Sequence, residues 1–411
     1  MSRNKKRKII FGVLFLSAGL LWGTPGRTEL GNEIFLQDVL SKIRHQRLGL
    51  VVNPTSVLPD GTSLVQALRK HRVNIAALFS PEHGFSGQAE AGAEVRDSSW
   101  QKIPVISLYG KTRRPSPEHV RAVDAFVYDI QDVGTRFYTY ITTLKYILES
   151  AGAHGKTVYV LDRPNPAGGT TIEGPSLVPE LMSFIGAFPI PIRYGLTPGE
   201  LALMMKGEGW VPSDVDLRVV KMRGWRRSFF WADTGLRWIS PSPNMPNPET
   251  ALLYPGTGLL GALTLNPGLG TEKPFRQLGA PWLDPKRVIE KLKGGKSFGL
   301  RLEPTIFTPQ SLPGKTLHPT FEDRLCRGIN IHIIQKDRLR SVWFALSLIK
   351  ALRETHPEKI AIHSQALNRM FGSPLLEEFI RGRLSFENLL SQVQQDEEEF
   401  RKKRQPYLLY D

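Results

Sequence analysis

The chain has 411 residues, enough for two or three domains with sizeable cores. With 41% hydrophobic and 23% charged residues it has the composition of a globular protein, which excludes a disordered chain. Its single cysteine, Cys326, excludes an intramolecular disulfide framework and any cysteine-based zinc site.

Residues 1–25 read as a targeting segment rather than as fold. Arg3, Lys5, Lys6, Arg7 and Lys8 precede an apolar stretch over 9–22, short for a membrane span but suited to a secretory signal. No Ala-x-Ala precedes Thr24-Pro25-Gly26, so an uncleaved anchor through 9–22 stands beside cleavage. No cysteine follows, which excludes a lipoprotein type of attachment. The expectation is export to a periplasm or cell surface. The five basic residues of this head belong to a formal net charge of +15, leaving about +10 for the rest. Those remaining charges are dispersed without a recognition-module pattern, which speaks against nucleic acid. An exported, basic chain fits an anionic cell-envelope polymer better.

From residue 36 to 196 strand-like and helical stretches alternate. Apolar runs at 48–52, 75–79, 105–108, 125–128 and 157–161 are separated by helical patterns such as 63–71, 117–123 and 140–150. That alternation predicts an α/β domain, over 36–240, with a Rossmann-like, largely parallel sheet. No Gly-x-Gly-x-x-Gly follows the first strand, so no nucleotide cofactor is expected. The one such motif, Gly256-Thr257-Gly258-Leu259-Leu260-Gly261, follows Pro255 outside any βαβ unit and reads as a flexible loop.

Four of the runs end alike. Residues 75–79 lead into Ser80-Pro81-Glu82-His83-Gly84, where Pro81 cannot continue a central strand and Gly84 permits a turn. Residues 48–52 lead into Asn53-Pro54-Thr55. Residues 125–128 lead into Asp129-Ile130-Gln131-Asp132-Val133-Gly134, and 157–161 into Asp162-Arg163-Pro164-Asn165-Pro166. One polar loop is ordinarily just solvated. Four at parallel strand ends gather Asn, Asp and Glu side chains along one sheet edge, where open α/β sheets bind ligands.

Residues 196–266 look irregular, apart from a capped helix start at Thr197-Pro198-Gly199-Glu200. Trp225, Trp231, Trp238 and Pro241-Ser242-Pro243-Asn244-Met245-Pro246 mark a crossing to a smaller C-terminal α/β domain over 241–411. There 275–282 reads as a loop, 284–292 and 339–354 as helices, and 328–334 as a strand, with His332 a satisfied, half-buried residue. The charge clusters at 396–399 and 401–404 read as a solvated helix face. The nine histidines are scattered without ligand spacing, and no metal site is expected.

Several motifs together carry a resemblance. They are Ser80–Gly84, Ser107-Leu108-Tyr109-Gly110, the run 129–140, Leu161-Asp162-Arg163-Pro164-Asn165-Pro166, Glu173-Gly174-Pro175, the run 241–246, Tyr254-Pro255-Gly256-Thr257 and Gly279-Ala280-Pro281-Trp282. From about Leu48 to its end the chain resembles the exo-β-N-acetylmuramidases of the NamZ type, a glycoside hydrolase family. The resemblance implies a Rossmann-like domain joined to a smaller one, with the active site in the cleft between them. It also implies removal of N-acetylmuramic acid from the non-reducing end of peptidoglycan glycans without a cofactor.

Glycoside hydrolysis needs a carboxylic acid at the leaving oxygen and a second group for water or the anomeric carbon. Glu82 matches the family's strand-end Glu and is the expected general acid, with His83 positioning it or the substrate. Asp129 and Asp132 are the candidates for the second group, with Asp162 behind them; the substrate's own acetamido group is the alternative. Arg136 and Arg163 are candidates for the lactyl carboxylate of muramic acid, or for structural ion pairs. Asn53, Tyr138, Asp162, Asn165, Tyr194, Asn244 and Thr271 complete the expected substrate-binding set. Two departures stand out. Asn266-Pro267-Gly268-Leu269-Gly270-Thr271 replaces the family's usual Ser-Glu-Gly-Arg-Gly-Thr, and Tyr194 stands where His is usual. They leave a second reading open, a catalytically weakened relative that binds peptidoglycan fragments.

Overall fold

The computed structural model describes residues 26–90 and 92–411; the expected targeting segment at 1–25 lies outside them. A seven-stranded sheet has the order β3-β4-β2-β1-β5-β6-β7. Its strands are β1 (Arg47–Val52), β2 (Asn74–Ser80), β3 (Ser98–Trp100), β4 (Ile103–Ser107), β5 (Ala125–Asp129), β6 (Thr157–Leu161) and β7 (Asp216–Val220). All neighbours are parallel except β3, which pairs antiparallel with β4. The α/β class read from the sequence is therefore the observed one. β3 and β7 were not anticipated, and β7 lies within the stretch read as irregular.

The apolar runs form central strands because both faces of the sheet are covered. Leu50 and Val52 pack to one face and Val51 to the other; Leu78 and Phe79 divide likewise, as do Val127 and Tyr128. One face is covered by α1 (Gly31–Ile34), α2 (Leu40–Ile43) and α3 (Leu64–Lys70), with a π-helical turn over Phe35–Val39 between the first two. The other is covered by α4 (Pro117–Arg121), α5 (Tyr140–Gly152) and α6 (Pro198–Gly207). Thr197 caps α6 as its sequence announced, accepting from Glu200 N while the Glu200 carboxylate accepts from Thr197 N.

A second core surrounds a small antiparallel sheet, ordered β8-β10-β9. Its strands are β8 (Gln277–Ala280), β9 (Leu300–Phe307) and β10 (Cys326–Ile333). Against them pack α7 (Pro248–Thr257), α8 (Pro285–Lys291), α9 (Ser341–Thr355), α10 (Ser364–Phe371), α11 (Leu375–Ile380) and α12 (Phe386–Lys403). β8 corrects the reading of 275–282 as a loop. His332 is half-buried and 3.1 Å from Glu303, a local partner.

Two further expectations are overturned. The glycine motif at 256–261 is helical: Gly256 and Thr257 end α7, and a 3-10 turn runs over Gly258–Ala262. A Cβ on Gly256 would lie 1.8 Å from the Ser341 carbonyl oxygen, so the glycine lets α7 and α9 touch backbone to backbone. The charged end of α12 is not simply solvated either. Glu397 accepts from Gly174 N and Trp343 Nε1 at 2.9 Å, Asp396 accepts from Ser176 N at 3.2 Å, and Arg404 is buried. Glu398, paired with Arg401 and Lys402 on the surface, fits the expectation.

Between Leu161 and Pro198 the chain has only isolated bridges and one 3-10 turn, yet much of it is buried. Buried arginines satisfy its carbonyls. Arg136 donates to Pro175 O (2.8 Å), Ile190 O (2.6 Å) and, across to α10, Met370 O (2.9 Å). Arg404 donates to Gly169 O (3.0 Å), Tyr194 O (3.2 Å) and Gly195 O (2.7 Å). Arg193 pairs with Glu173 at 2.9 Å and donates to Ala167 O and Leu339 O.

The backbone contact at Gly256 makes a direct prediction. Gly256→Ala should lower the unfolding free energy by about 1–3 kcal/mol, the range for overpacking a core, because backbone rather than a flexible side chain must move. A urea midpoint unchanged from wild type would refute it.

Candidate active site

Along this sheet β1, β2 and β4 run out one way and β5, β6 and β7 the other, so the order reverses between β1 and β5. Ligands of open α/β sheets bind at such a switch point, outside the carboxyl ends of the strands. Asn53, Glu82, Asp129 and Asp162 stand there, immediately after or at the ends of β1, β2, β5 and β6.

Glu82 and His83 are both buried in the turn after β2. One carboxylate oxygen of Glu82 accepts from Thr139 Oγ1 at 2.6 Å, the other from Gly92 N at 3.0 Å. The Tyr109 phenol lies beside it: burial first, then the Glu82 charge, push that phenol up to about 12. The same charge, after burial, adds to the upward shift of the Tyr140 and Tyr254 phenols. Tyr254 belongs to α7, so both cores contribute to the wall facing Glu82. Tyr138 packs edge-on between Tyr140 (4.8 Å) and Tyr254 (6.0 Å).

His83 has a left-handed backbone, φ +70, a conformation that costs a non-glycine residue about 1–2 kcal/mol. Burial lowers its pKa and favours the neutral ring. Nδ1 lies 2.6 Å from Ala89 O, so Nδ1 carries the proton and Nε2 is left as an acceptor.

Asp129 and Asp132 divide in role. Asp129 is fully buried, paired with Arg163 Nε at 2.6 Å and accepting from Asn32 Nδ2 at 3.2 Å. Asp132 has no cationic partner among the described residues. Its Oδ2 accepts from Gly134 N at 2.6 Å and from the Tyr194 hydroxyl, while its Oδ1 has no partner among the described residues. Burial, opposed by those hydrogen bonds, raises its carboxyl to about 6.

The other expected site residues have local partners. Asp162 accepts from Gly199 N (2.8 Å), Thr197 Oγ1 (2.7 Å) and the Tyr410 hydroxyl (2.5 Å), bracing α6 and the C-terminus; burial raises it to about 7. Arg136 is committed to the three carbonyls above, and burial lowers it to about 9. Asn165 Nδ2 donates to Leu196 O at 2.9 Å. Asn53 Oδ1 accepts from Thr55 N and Oγ1 at 2.9 and 2.6 Å. Asn244 Nδ2 donates to Lys315 O and Thr316 Oγ1, both at 3.0 Å, and Glu90, in the loop after Glu82, accepts from Gly314 N at 3.2 Å. Thr271 Oγ1 donates to Gly268 O at 2.7 Å and accepts from Gln277 Nε2 at 2.9 Å, shaping the 266–271 turn.

The structure thus gathers Glu82, His83, Tyr138 and the neighbours Tyr109, Thr139, Tyr140 and Tyr254, four groups the sequence reading did not promote. All four lie inside motifs it quoted. The available signal was a hydroxyl or phenol in each segment bordering a strand-end carboxylate.

Comparison with known proteins agrees with this architecture. Residues 48–249 match the family model described as exo-β-N-acetylmuramidase NamZ, N-terminal, and residues 252–410 match its C-terminal counterpart. The chain is 38% identical, over 388 residues, to the peptidoglycan β-N-acetylmuramidase NamZ of Bacillus subtilis (strain 168), covering 93% of this chain and 92% of that protein. It is similar to two crystal structures of DUF1343 family proteins from Bacteroides fragilis NCTC 9343. One has a TM-score of 0.86 at 33% identity and the other 0.76 at 29%, each covering 94% of this chain and 99% of the other. Matched across both halves by the family's models, the chain belongs to the exo-β-N-acetylmuramidase NamZ family of glycoside hydrolases.

Proposed function

We propose that the chain releases N-acetylmuramic acid from the non-reducing end of peptidoglycan glycans, with Glu82 as the general acid. The observation that carries this reading is the bond between Glu82 and Thr139, in a wall built by both cores. A hydroxyl donates to an ionised carboxylate and accepts from a protonated one. Thr139 can therefore hold Glu82 in either state, as a group that gives up a proton and regains it requires. Neutral His83, with Nε2 unprotonated, orients a substrate hydroxyl or the glycosidic region.

For the second group we infer Asp132, because Asp129 is paired with Arg163 while Asp132 has no cation beside it among the described residues. The lactyl carboxylate requires a cation other than Arg136, which is committed to carbonyls. Arg113 sits over Tyr109 at 5.6 Å and Phe184 at 4.2 Å, exposed and with no ion pair among the described residues. Stacked on Tyr109, whose phenol lies beside Glu82, it is an exposed guanidinium able to meet an anionic substrate. The substrate lies in the cell wall, and the basic, apolar head at 1–25 supports export to it. A binding-only relative is the second reading, favoured by the 266–271 turn, where buried Pro267 and half-buried Leu269 offer no charge.

With a chromogenic β-N-acetylmuramide and the full chain, Glu82→Gln should lose about 10²–10⁴-fold in kcat, the contribution of a positioned acid. Equal turnover would remove Glu82 from the role. No turnover by either protein, with muramic-acid fragments still bound, would establish the second reading. Arg113→Met should raise KM about tenfold and leave kcat near wild type, the mark of a ground-state contact; unchanged KM would discard it.

The Asp132 carboxyl is raised from 3.8 to about 6, so its contribution to stability is present below 3.8 and lost as pH rises through about 6. That shift corresponds to a loss on the order of 3 kcal/mol. Asp162 shifts the same way in wild type and in Asp132→Asn, so the difference between the two isolates Asp132. Urea denaturation at pH 4 and pH 7 should show the wild type losing more stability than Asp132→Asn. Parallel profiles would contradict the buried, unpaired state of this group.

A further inference from the structure

Opposite the candidate active site, the amino ends of the parallel strands form the other edge of the large sheet. These ends are flush: Arg47 of β1 pairs with Asn74 of β2, Leu48 with Ala125 of β5, and Ala125 with Thr157 of β6. The segments that enter this edge are basic. Lys42 and Arg44 precede β1 and Arg47 opens it, while Arg69, Lys70 and Arg72 precede β2; all are exposed. Exposed Lys102 precedes β4, exposed Arg121 precedes β5, and half-buried Lys156 precedes β6. Neighbouring strands lie about 4.8 Å apart, so the row from β4 through β2, β1 and β5 to β6 is about 20 Å long. Within 42–47, 69–73, 101–102, 121–124 and 153–156 the one acid is Asp124, already paired with Arg47 at 2.8 Å. Hydrogen bonds from Arg47, with the Lys156 charge beyond, hold that carboxyl down at about 2. The other cations of the row have no ion pair among the described residues.

A helix C-terminus favours cations, which accounts for Lys42, Arg69, Lys70 and Arg121 in the last turns of α2, α3 and α4. It does not account for Lys102, which follows a strand, or for Lys156, since α5 has no basic residue in its last turn. Arg72 (φ +57) and Lys102 (φ +71) hold the left-handed backbone that glycine adopts without strain, and carry a cation there instead. Like charges gathered in a row repel, and a partner that neutralises several at once relieves that repulsion. A single small anion meets only part of a row this long; a linear polyanion spans it. Guanidinium groups match phosphate oxygens in geometry, which favours a phosphate-bearing chain. Sites that lie on a membrane place exposed apolar side chains beside their cations. Among the described residues the exposed large hydrophobics are Met182, Ile306, Leu317, Leu325 and Ile334, none of them at this edge.

We propose that the amino edge of the sheet docks a linear phosphodiester polymer of the cell envelope, on the side of the domain away from Glu82. The envelope as the source of that polymer rests on the export proposed above; the surface rests on the row of cations alone.

The test is isothermal titration of the full chain with poly(glycerol phosphate) freed of its lipid. Wild type should bind it, more weakly as salt rises, and glycerol phosphate at equal phosphate concentration should not displace it. The triple variant Arg69→Gln, Lys70→Gln, Arg72→Gln should lose about 10–100-fold in affinity, while circular dichroism shows it folded. A control, Lys286→Gln, Lys293→Gln, Lys296→Gln, removes the same charge from exposed positions of the second core and should bind as wild type does. An equal loss in that control would assign the binding to net charge and overturn the proposal, as would unchanged affinity in the edge variant. Tighter binding to phosphatidylglycerol vesicles than to the polymer would make the edge a membrane surface instead, and displacement by glycerol phosphate would reduce it to a site for one phosphate. None of these readouts involves turnover, so the docking and the reaction fail separately.

Discussion

The structure depends on satisfying the carbonyls of a long, irregular, buried segment. Residues 162–197 connect β6 to α6 with only isolated bridges and one 3-10 turn, so regular helix or sheet supplies few donors to their carbonyls. Unpaired backbone groups there would destabilise the fold, and the solution is a set of buried guanidinium groups, each with several N–H donors. Arg136 and Arg404 bond mainly to carbonyls rather than to carboxylates, and burial lowers both. Arg227 adds Gly169 O at 3.2 Å and Gly195 O at 2.9 Å and pairs with Glu200. Arg136 also reaches Met370 O, so it fixes the α10 end of the second core on the first. Part of the basic composition thus serves the interior. A net positive charge read from composition overstates what the surface offers an anionic partner.

The central strands were legible because each is buried on both faces and therefore reads as a continuous apolar run. β7 was not, since Asp216-Leu217-Arg218-Val219-Val220 lies at the sheet edge and its charges broke the run. β8 is four residues rich in Gly and Ala, which pack where Gly279 and Gly328 pass closely, and nothing local distinguishes that from a loop. The 256–261 glycines misled for a related reason: a glycine chosen for helix contact and one chosen for a turn look alike in sequence. The acids of α12 read as solvated in sequence because their partners, Gly174 N and Ser176 N, lie more than two hundred residues earlier.

For the site, a Glu-His pair at a strand end was readable because the break from apolar run to turn is local. What the pair faces was not, since Tyr109, Thr139 and Tyr254 come from three separated segments. The resemblance supplied candidates, and the geometry then sorted them by occupation. Asp129 is paired with Arg163, Asp162 accepts from Tyr410, and Arg136 donates to three carbonyls. Asp132 and Glu82 are held by hydrogen bonds alone, with no ion pair among the described residues.

Tyr194 shows how a departure from a family pattern can preserve chemistry. Its hydroxyl donates to Asp132, which an imidazole N–H in that place could also do, but a phenol stays neutral across the pH range in which a histidine would charge. A protonated histidine would draw the Asp132 carboxyl down; the neutral phenol leaves burial as the dominant influence and the carboxyl at about 6. The substitution therefore changes when Asp132 ionises rather than whether it is held. The 266–271 turn differs in kind. There Asn266, Thr271 and Gln277 preserve the backbone shape, with Asn266 Nδ2 donating to Leu269 O at 3.1 Å and to Thr320 O at 2.7 Å. This turn keeps its shape without a charge, so the proposed anion contact rests on the exposed Arg113 over Tyr109.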